Sequence, residues 1–239
     1  YAMHWPNYQR ETARSIRRTP FYHRLREQGA CFTETQGWER PGWYAPEGIT
    51  PQYDYSFGRQ NWFEYALDEQ RAARERVAIV DYSMLGKISV EGVGAEAFLQ
   101  RVCTNNMAMA CGRIAYTLLL NERGGIESDV TVARYADDHF MVMSSIARTR
   151  RDYLWLAALI EPEEQVKLRD ETASLGVLGV MGPQSRALMT AVTDLDVTNE
   201  AFPFNRFYEC HIGHAKVTAQ RLSYSGELGW EIMVTPDFA

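Results

Sequence analysis

Val90-Glu-Gly-Val-Gly-Ala-Glu-Ala-Phe-Leu99 and Val180-Met-Gly-Pro-Gln-Ser-Arg-Ala-Leu-Met189 align without a gap. Each runs from the end of an apolar strand, through a glycine turn, into the start of a helix. The chain therefore carries one structural grammar twice. Around the first copy, Lys87 to Glu91 predicts a strand, Gly92-Val93-Gly94 a tight turn, and Ala95 to Val102 a helix. Arg113 to Leu120 then alternates toward a turn at Asn121-Glu122-Arg123-Gly124-Gly125, and Ile126 to Tyr135 returns, so the pair predicts a hairpin. A turn at Ala136-Asp137-Asp138 leads to a strand, His139 to Ser144, and a helix, Thr149 to Ile160. A further match sets Leu118 to Glu127 against Leu222 to Glu231, sharing Leu118/Leu222, Gly125/Gly229 and Glu127/Glu231. The expectation is an α+β fold of two related halves, each an antiparallel sheet with helices on one side. A crevice between such halves is a natural ligand site.

Upstream, Trp62 to Arg76 has the pattern of an amphipathic helix and opens a compact domain expected over 61–239. Residues 1–60 differ, being rich in Trp, Tyr, Pro, Gly and Arg with no sustained periodicity. Gly37-Trp-Glu-Arg-Pro-Gly-Trp-Tyr-Ala-Pro46 reads as unable to continue a helix or a central strand. So much aromatic surface is expected to cover something, either this chain's own core, another copy or a partner domain.

At 239 residues, 46% hydrophobic and 23% charged, the chain has the composition of a globular domain. The longest apolar stretch, Ala173 to Met181, is too short and glycine-rich to span a bilayer, and no secretory leader opens the sequence. The start at Tyr1 reads as a fragment, and the expected compartment is the cytoplasm, or the mitochondrial matrix if the source is eukaryotic. Net charge is −6, which argues against a general polyanion-binding surface. The seven arginines against four glutamates in residues 1–40 read as a solvated face, not as a nucleic-acid contact. Cys31, Cys103, Cys111 and Cys210 lack short paired spacing and read as reduced. Phe207 to Ala215 reads as one strand, placing His211 and His214 on opposite faces and arguing against a metal site with Cys210.

Gly92-Val-Gly-Ala-Glu-Ala97 matches a dinucleotide fingerprint, yet its helix leads into an antiparallel hairpin instead of a parallel second strand. The turn reading fits better. Glu127 and Asp129 lie two apart on a strand and so share a face, with Tyr116 on the partner strand. Tyr224 and Glu231 flank Ser225-Gly-Glu-Leu-Gly229 in the second half. A carboxylate can accept two parallel hydrogen bonds from an amidine-like edge such as a pterin's, and a tyrosine can cover its face. From spacing alone, a polar hairpin surface is an equal reading.

Tyr116-Thr-Leu-Leu-Leu-Asn-Glu-Arg-Gly-Gly-Ile-Glu-Ser-Asp129-Val-Thr-Val132 and Tyr224-Ser-Gly-Glu-Leu-Gly-Trp-Glu231 resemble the two signatures of the glycine cleavage T-protein (aminomethyltransferase) superfamily. Gly37 to Trp43, and Trp62-Phe-Glu-Tyr to Val80-Asp-Tyr-Ser83, resemble the dimethylglycine and sarcosine dehydrogenase or oxidase branch, where they follow an FAD domain. The resemblance implies a T-protein-like fold with ferredoxin-like halves, incomplete at the C-terminus, that binds tetrahydrofolate between them. It implies that Asp129 positions or activates the folate amine, that Glu231 holds the pterin edge, and that Tyr116, Tyr224 and Leu85 line the pocket. It further implies capture of a methylene group from an N-methyl amine's imine as 5,10-methylenetetrahydrofolate, with FAD supplied by a domain outside this chain. Aminomethyl transfer and a non-catalytic folate-binding or regulatory module are the alternatives.

Overall fold

The computed structural model describes residues 3–239. Strands β1 (Arg17–Arg18), β2 (Ala30–Thr35) and β3 (Trp38–Tyr44), with helix α1 (Tyr22–Glu27) between the first two, form a sheet in the order β1-β3-β2. Next come α2 (Phe63–Glu75), β4 (Ala78–Asp81), β5 (Gly86–Glu91), α3 (Ala95–Val102), β6 (Ile114–Leu120), β7 (Ile126–Ala136) and β8 (His139–Ser144). The chain continues through α4 (Thr149–Ala158), β9 (Lys167–Asp170), β10 (Gly176–Met181), α5 (Ser185–Val192), β11 (Phe207–Ile212), β12 (Ala215–Gln220) and β13 (Gly229–Val234). Two five-stranded sheets result, β6-β7-β8-β5-β9 and β11-β12-β13-β10-β4, with antiparallel neighbours throughout. No helix among the described residues is long and apolar enough to cross a membrane.

The first internal match is structural. β5 with α3 and β10 with α5 are the same strand–turn–helix unit, and the turn glycines Gly92 and Gly182 share a left-handed backbone, φ 122° and 128°. A Cβ on Gly92 would stand 2.0 Å from the Gln165 carbonyl oxygen, so the turn leaves no room for a side chain. Gly92→Ala should therefore lower stability by about 2 kcal/mol, read as a fall in the urea midpoint. An unchanged midpoint would mean that the glycine serves something other than the turn.

The second match is not a structural equivalence. Strand order pairs β6 and β7 with β11 and β12, and β8 with β13. Glu127 on β7 and Glu231 on β13 therefore occupy different places in their halves. The shared Leu, Gly and Glu reflect the common chemistry of a hairpin turn entering a strand.

Each sheet buries one face against its helices. Ile88, Val90, Val130, Val132, Phe140 and Val142 pack with Phe98, Leu99 and Leu156 of α3 and α4. Val180, Val217, Ala219, Trp230 and Ile232 pack with Met189 of α5 and with Phe202. The alternate residues point the other way, and there Met141 and Met143 of one sheet meet Val177 and Met233 of the other. The two sheets therefore face each other with helices outside.

The stretch from Gly37 to Pro46 departs from expectation, because β3 is the central strand of its sheet. Pro41 is tolerated there because β1 pairs only with Trp38 and Glu39, so from Arg40 onward β3 has a neighbour on one side only. A register shift at Cys31/Phe32 leaves Gly42 as an extra residue, and Trp43 is 1% exposed, stacked on Tyr65 of α2. Glu39 is buried and fastens the preceding segment by accepting from Arg14 Nε at 2.9 Å and from the Ser15 amide. Phe207 to Ala215 is likewise not one strand: Gly213, at φ 59°, turns it into the β11–β12 hairpin with His214 in the turn.

Candidate functional site

The inner faces of the two sheets carry most of the residues singled out above. On β7, Val130 and Val132 point to the helices, so Asp129 and Thr131 point inward, and Tyr116 is the direct cross-strand partner of Thr131. The Tyr116 hydroxyl donates to Asp129 Oδ2 at 3.2 Å. Desolvation, and after it the Asp129 carboxylate, push the Tyr116 hydroxyl pKa up, which keeps it a neutral donor. Both side chains are solvent-accessible, with Tyr116 60% exposed. Beside Tyr116 lies a cavity of about 330 Å³, lined also by Asn105, Asn106, Arg113 and Asn205.

Glu127 does not join Asp129. The register passes from Leu119↔Ser128 to Leu120↔Ile126, so Glu127 is a bulge residue and the alternation that would pair the carboxylates is broken. Its carboxylate is taken instead by Asn121 Nδ2 at 2.8 Å and by Arg151 of α4.

On β13, Trp230 and Ile232 enter the helix-side core, leaving Glu231 and Met233 on the inner face. Glu231 is 6% exposed, and no hydrogen bond from the described residues reaches its carboxylate. Burial pushes its pKa up to about 7, with the Lys87 ammonium acting in the opposite direction. Across the strand pair, Glu231 faces Gly179, and a Cβ there would lie 2.5 Å from the Tyr82 ring. That missing side chain is what admits the aromatic ring beside the carboxylate. The other neighbour is Gln220 on β12, fully buried, whose Nε2 donates to Met233 Sδ at 3.3 Å while its Oε1 is left without a partner.

Leu85 lies in the inter-sheet cluster with Met143 and Met233. Tyr224 does not close over the site. It is 91% exposed in the turn before β13. The structure thus brings Asp129 to Tyr116 on one sheet, gathers Glu231 and Leu85 between the sheets, and leaves Tyr224 in solvent.

Three residues of this crevice escaped the sequence reading: Tyr82, Lys87 and Gln220. The signal for Lys87 was present, because Lys87, Ser89 and Glu91 alternate with Ile88 and Val90. Such a pattern ordinarily marks a solvent face. Here the polar face meets a second sheet, and Lys87 is fully buried.

Chemically, the site offers a buried carboxylate and an amide oxygen to which no donor among the described residues is bonded. Burying such acceptors unpaired costs about 1–3 kcal/mol each, more when charged, which a ligand edge rich in N–H groups would offset.

The family model described as the GCVT N-terminal domain matches residues 21–239. The chain is 39% identical over its whole length to 4-methylaminobutanoate oxidase (formaldehyde-forming) of Paenarthrobacter nicotinovorans, of which it covers 29%. It is 31% identical to the mitochondrial sarcosine dehydrogenase of Homo sapiens, over 98% of this chain and 30% of that protein. Among solved structures, the glycine cleavage system aminomethyltransferase T of Bartonella henselae superposes with a TM-score of 0.74 at 24% identity, over 94% of this chain and 55% of that one. The chain therefore spans less than a third of the length of the oxidase and of the dehydrogenase, and about half of the aminomethyltransferase. With the duplicated, face-to-face sheets and a family match covering most of the chain, the protein belongs to the family of the glycine cleavage T-protein N-terminal domain.

Proposed function

We propose that this chain binds tetrahydrofolate between its two sheets and serves as the one-carbon acceptor domain of an enzyme that oxidises an N-methyl amine of the dimethylglycine or sarcosine type. The observation that carries this reading is Glu231, a buried carboxylate with no donor among the described residues, set between the Tyr82 ring and Gln220. Ionised Glu231 accepts from the ring N–H and amino group of the pterin, as a carboxylate does from any amidine-like edge. Tyr82 and Leu85 supply the apolar walls. Asp129, held by Tyr116 on the facing sheet, is the group that positions or deprotonates the reacting amine. Tetrahydrofolate supplies nucleophilic nitrogens able to take up a carbon at the oxidation level of formaldehyde. An FAD domain acting beside this one would produce that carbon as an iminium, and joining the two sites raises the local concentration of a short-lived intermediate.

Calorimetric titration of the chain with tetrahydrofolate, or with its stable 5-formyl analogue, tests the reading. Binding is expected, and its loss in Glu231→Ala would place it at this carboxylate. Absence of binding at millimolar ligand, a ceiling of about −4 kcal/mol, overturns it. A second reading draws on the name of the 39%-identical oxidase, which is formaldehyde-forming. On that reading the domain holds folate without transferring the carbon, and the product of amine oxidation is free formaldehyde even when folate saturates the protein.

A further inference from the structure

Lys87 is the buried charge for which the proposed function has no use. It sits on the inner face of β5 and is fully buried, as lysines almost never are without a partner. Its Nζ donates to the Ser83 carbonyl at 2.8 Å and the Leu85 carbonyl at 2.9 Å, two uncharged acceptors within the turn between β4 and β5. An ammonium has three donors, so this tether leaves one unassigned. Met143, directly across the strand from Lys87, packs in one cluster with Leu85 and with Met233, two residues from Glu231 on the same face. Lys87 and Glu231 thus flank the same contact between the sheets, and each group's charge is felt by the other.

We propose that Lys87 is the positioning residue of the ligand site: its tethered ammonium places a positive charge across the sheet contact from the Glu231 carboxylate, favouring the form that accepts two hydrogen bonds, while fixing the Ser83–Leu85 turn that forms the apolar wall. The ligand in this statement rests on the folate reading above. The coupling of the two charges does not.

The charge balance supports the assignment. The anionic groups facing Lys87 are Asp81 at the end of β4, Asp170 at the end of β9 and Glu231 on β13. Asp81 already accepts from the Thr19 hydroxyl at 2.5 Å and the Ser83 amide at 2.9 Å, and Asp170 from the Thr172 amide at 2.9 Å. Of the three, Glu231 alone has no donor among the described residues. Against it stand Lys87 and the Tyr82 hydroxyl, and Tyr82 also senses Arg40 and Tyr224. Burial pushes the Lys87 ammonium down to about 8 and Glu231 up to about 7, so both titrate near neutrality. The sign follows. Removing the ammonium leaves burial unopposed, so the carboxylate gives up its proton only at higher pH.

Carbon-13 titration of the glutamate side-chain carboxyls in the unliganded chain, with Glu231→Gln identifying the signal, reads the coupling directly. In Lys87→Met, which keeps the stem and removes the charge, the Glu231 midpoint should rise by about one pH unit, and in Lys87→Arg it should stay within a few tenths. An unmoved midpoint in Lys87→Met overturns the inference. Should that variant not fold, nitrogen-15 titration of the Lys87 ammonium gives the reciprocal test: its midpoint should fall in Glu231→Gln, and no change is equally fatal. For the ligand, calorimetry of Lys87→Met with 5-formyl-tetrahydrofolate should show binding weakened about five-fold near pH 7 and largely recovered near pH 9, because a carboxylate whose midpoint moves up by one unit from about 7 falls at pH 7 from about half to about a tenth ionised. Equal weakening at both pH values would mean that Lys87 only props the turn. Failure of the unsubstituted chain to bind at any pH overturns the folate reading and leaves the carboxyl titration to judge the coupling alone.

Discussion

If the proposed function holds, Asp129→Asn should lower transfer of the one-carbon unit to folate by about a hundred-fold, while oxidation of the amine by the intact enzyme continues at its original rate. The substitution keeps the shape of the side chain, and asparagine's own oxygen can still accept from the Tyr116 hydroxyl that now donates to Asp129 at 3.2 Å. What it removes is the negative charge and the capacity to take a proton. A positioned acid or base is worth a factor of about 10²–10⁴, and the lower end suits a side chain that is open to solvent. Carbon that is not captured appears as formaldehyde, so the measurement is the ratio of formaldehyde to methylenetetrahydrofolate in the intact enzyme, at saturating amine and several folate concentrations. Tyr116→Phe provides the comparison. It deletes the hydrogen bond but leaves the carboxylate, so its effect should be smaller than that of Asp129→Asn. Asp129→Asn with an unchanged product ratio would reduce the residue to a polar position on a hairpin and favour the reading in which folate is held without reaction.

The duplicated strand–turn–helix units could be read directly from sequence because a glycine forced to φ 122° or 128° leaves an unmistakable mark at both places. The hairpin at Asn121 to Gly125 and the helices at 63–75, 95–102 and 149–158 follow from the same local rules. Local rules fail where a distant neighbour decides. Whether Pro41 can sit in a central strand depends on where β1 stops, and nothing near Pro41 records that β1 has only two residues. Glu127 and Asp129 are spaced to share a face, and only a bulge, visible as a register shift against β6, separates them. The crevice is subject to the same limit. Alternation tells which side of a strand is polar, but a polar side turned to water and one turned to a second sheet read alike. That is why the alternation at Lys87 did not reveal its burial, and why a binding role could be assigned to Glu231 by resemblance alone.

Trp230→Ala is expected to have the largest effect on stability, about 3–5 kcal/mol. The residue lies at the centre of the second half and is fully buried. Phe202 meets its ring edge-on at 6.1 Å between centroids, and the guanidiniums of Arg186 and Arg221 lie 5.4 and 5.7 Å from it. Those two arginines share one acceptor, Asn199 Oδ1, at 2.8 and 2.7 Å, so the ring is part of what holds two like charges close together. Truncation would remove the ring from both and open a cavity bounded by charged groups as well as by apolar ones. For a chain of this size such a loss corresponds to a fall in Tm of about 6–20 °C. Trp230→Phe, which retains a ring for both guanidiniums, should recover most of it. The same strand sets the side chain that follows. Because Trp230 anchors β13 against α5 and Phe202, it fixes the direction in which Glu231 projects between the sheets. On the folate reading, at temperatures where Trp230→Ala is still folded its affinity for 5-formyl-tetrahydrofolate should fall as well, although Trp230 lies on the opposite face of the sheet from Glu231. Thermal unfolding and calorimetry on the same preparation check both parts. A destabilised variant with undiminished folate affinity would show that Glu231 is held by the inner-face contacts alone.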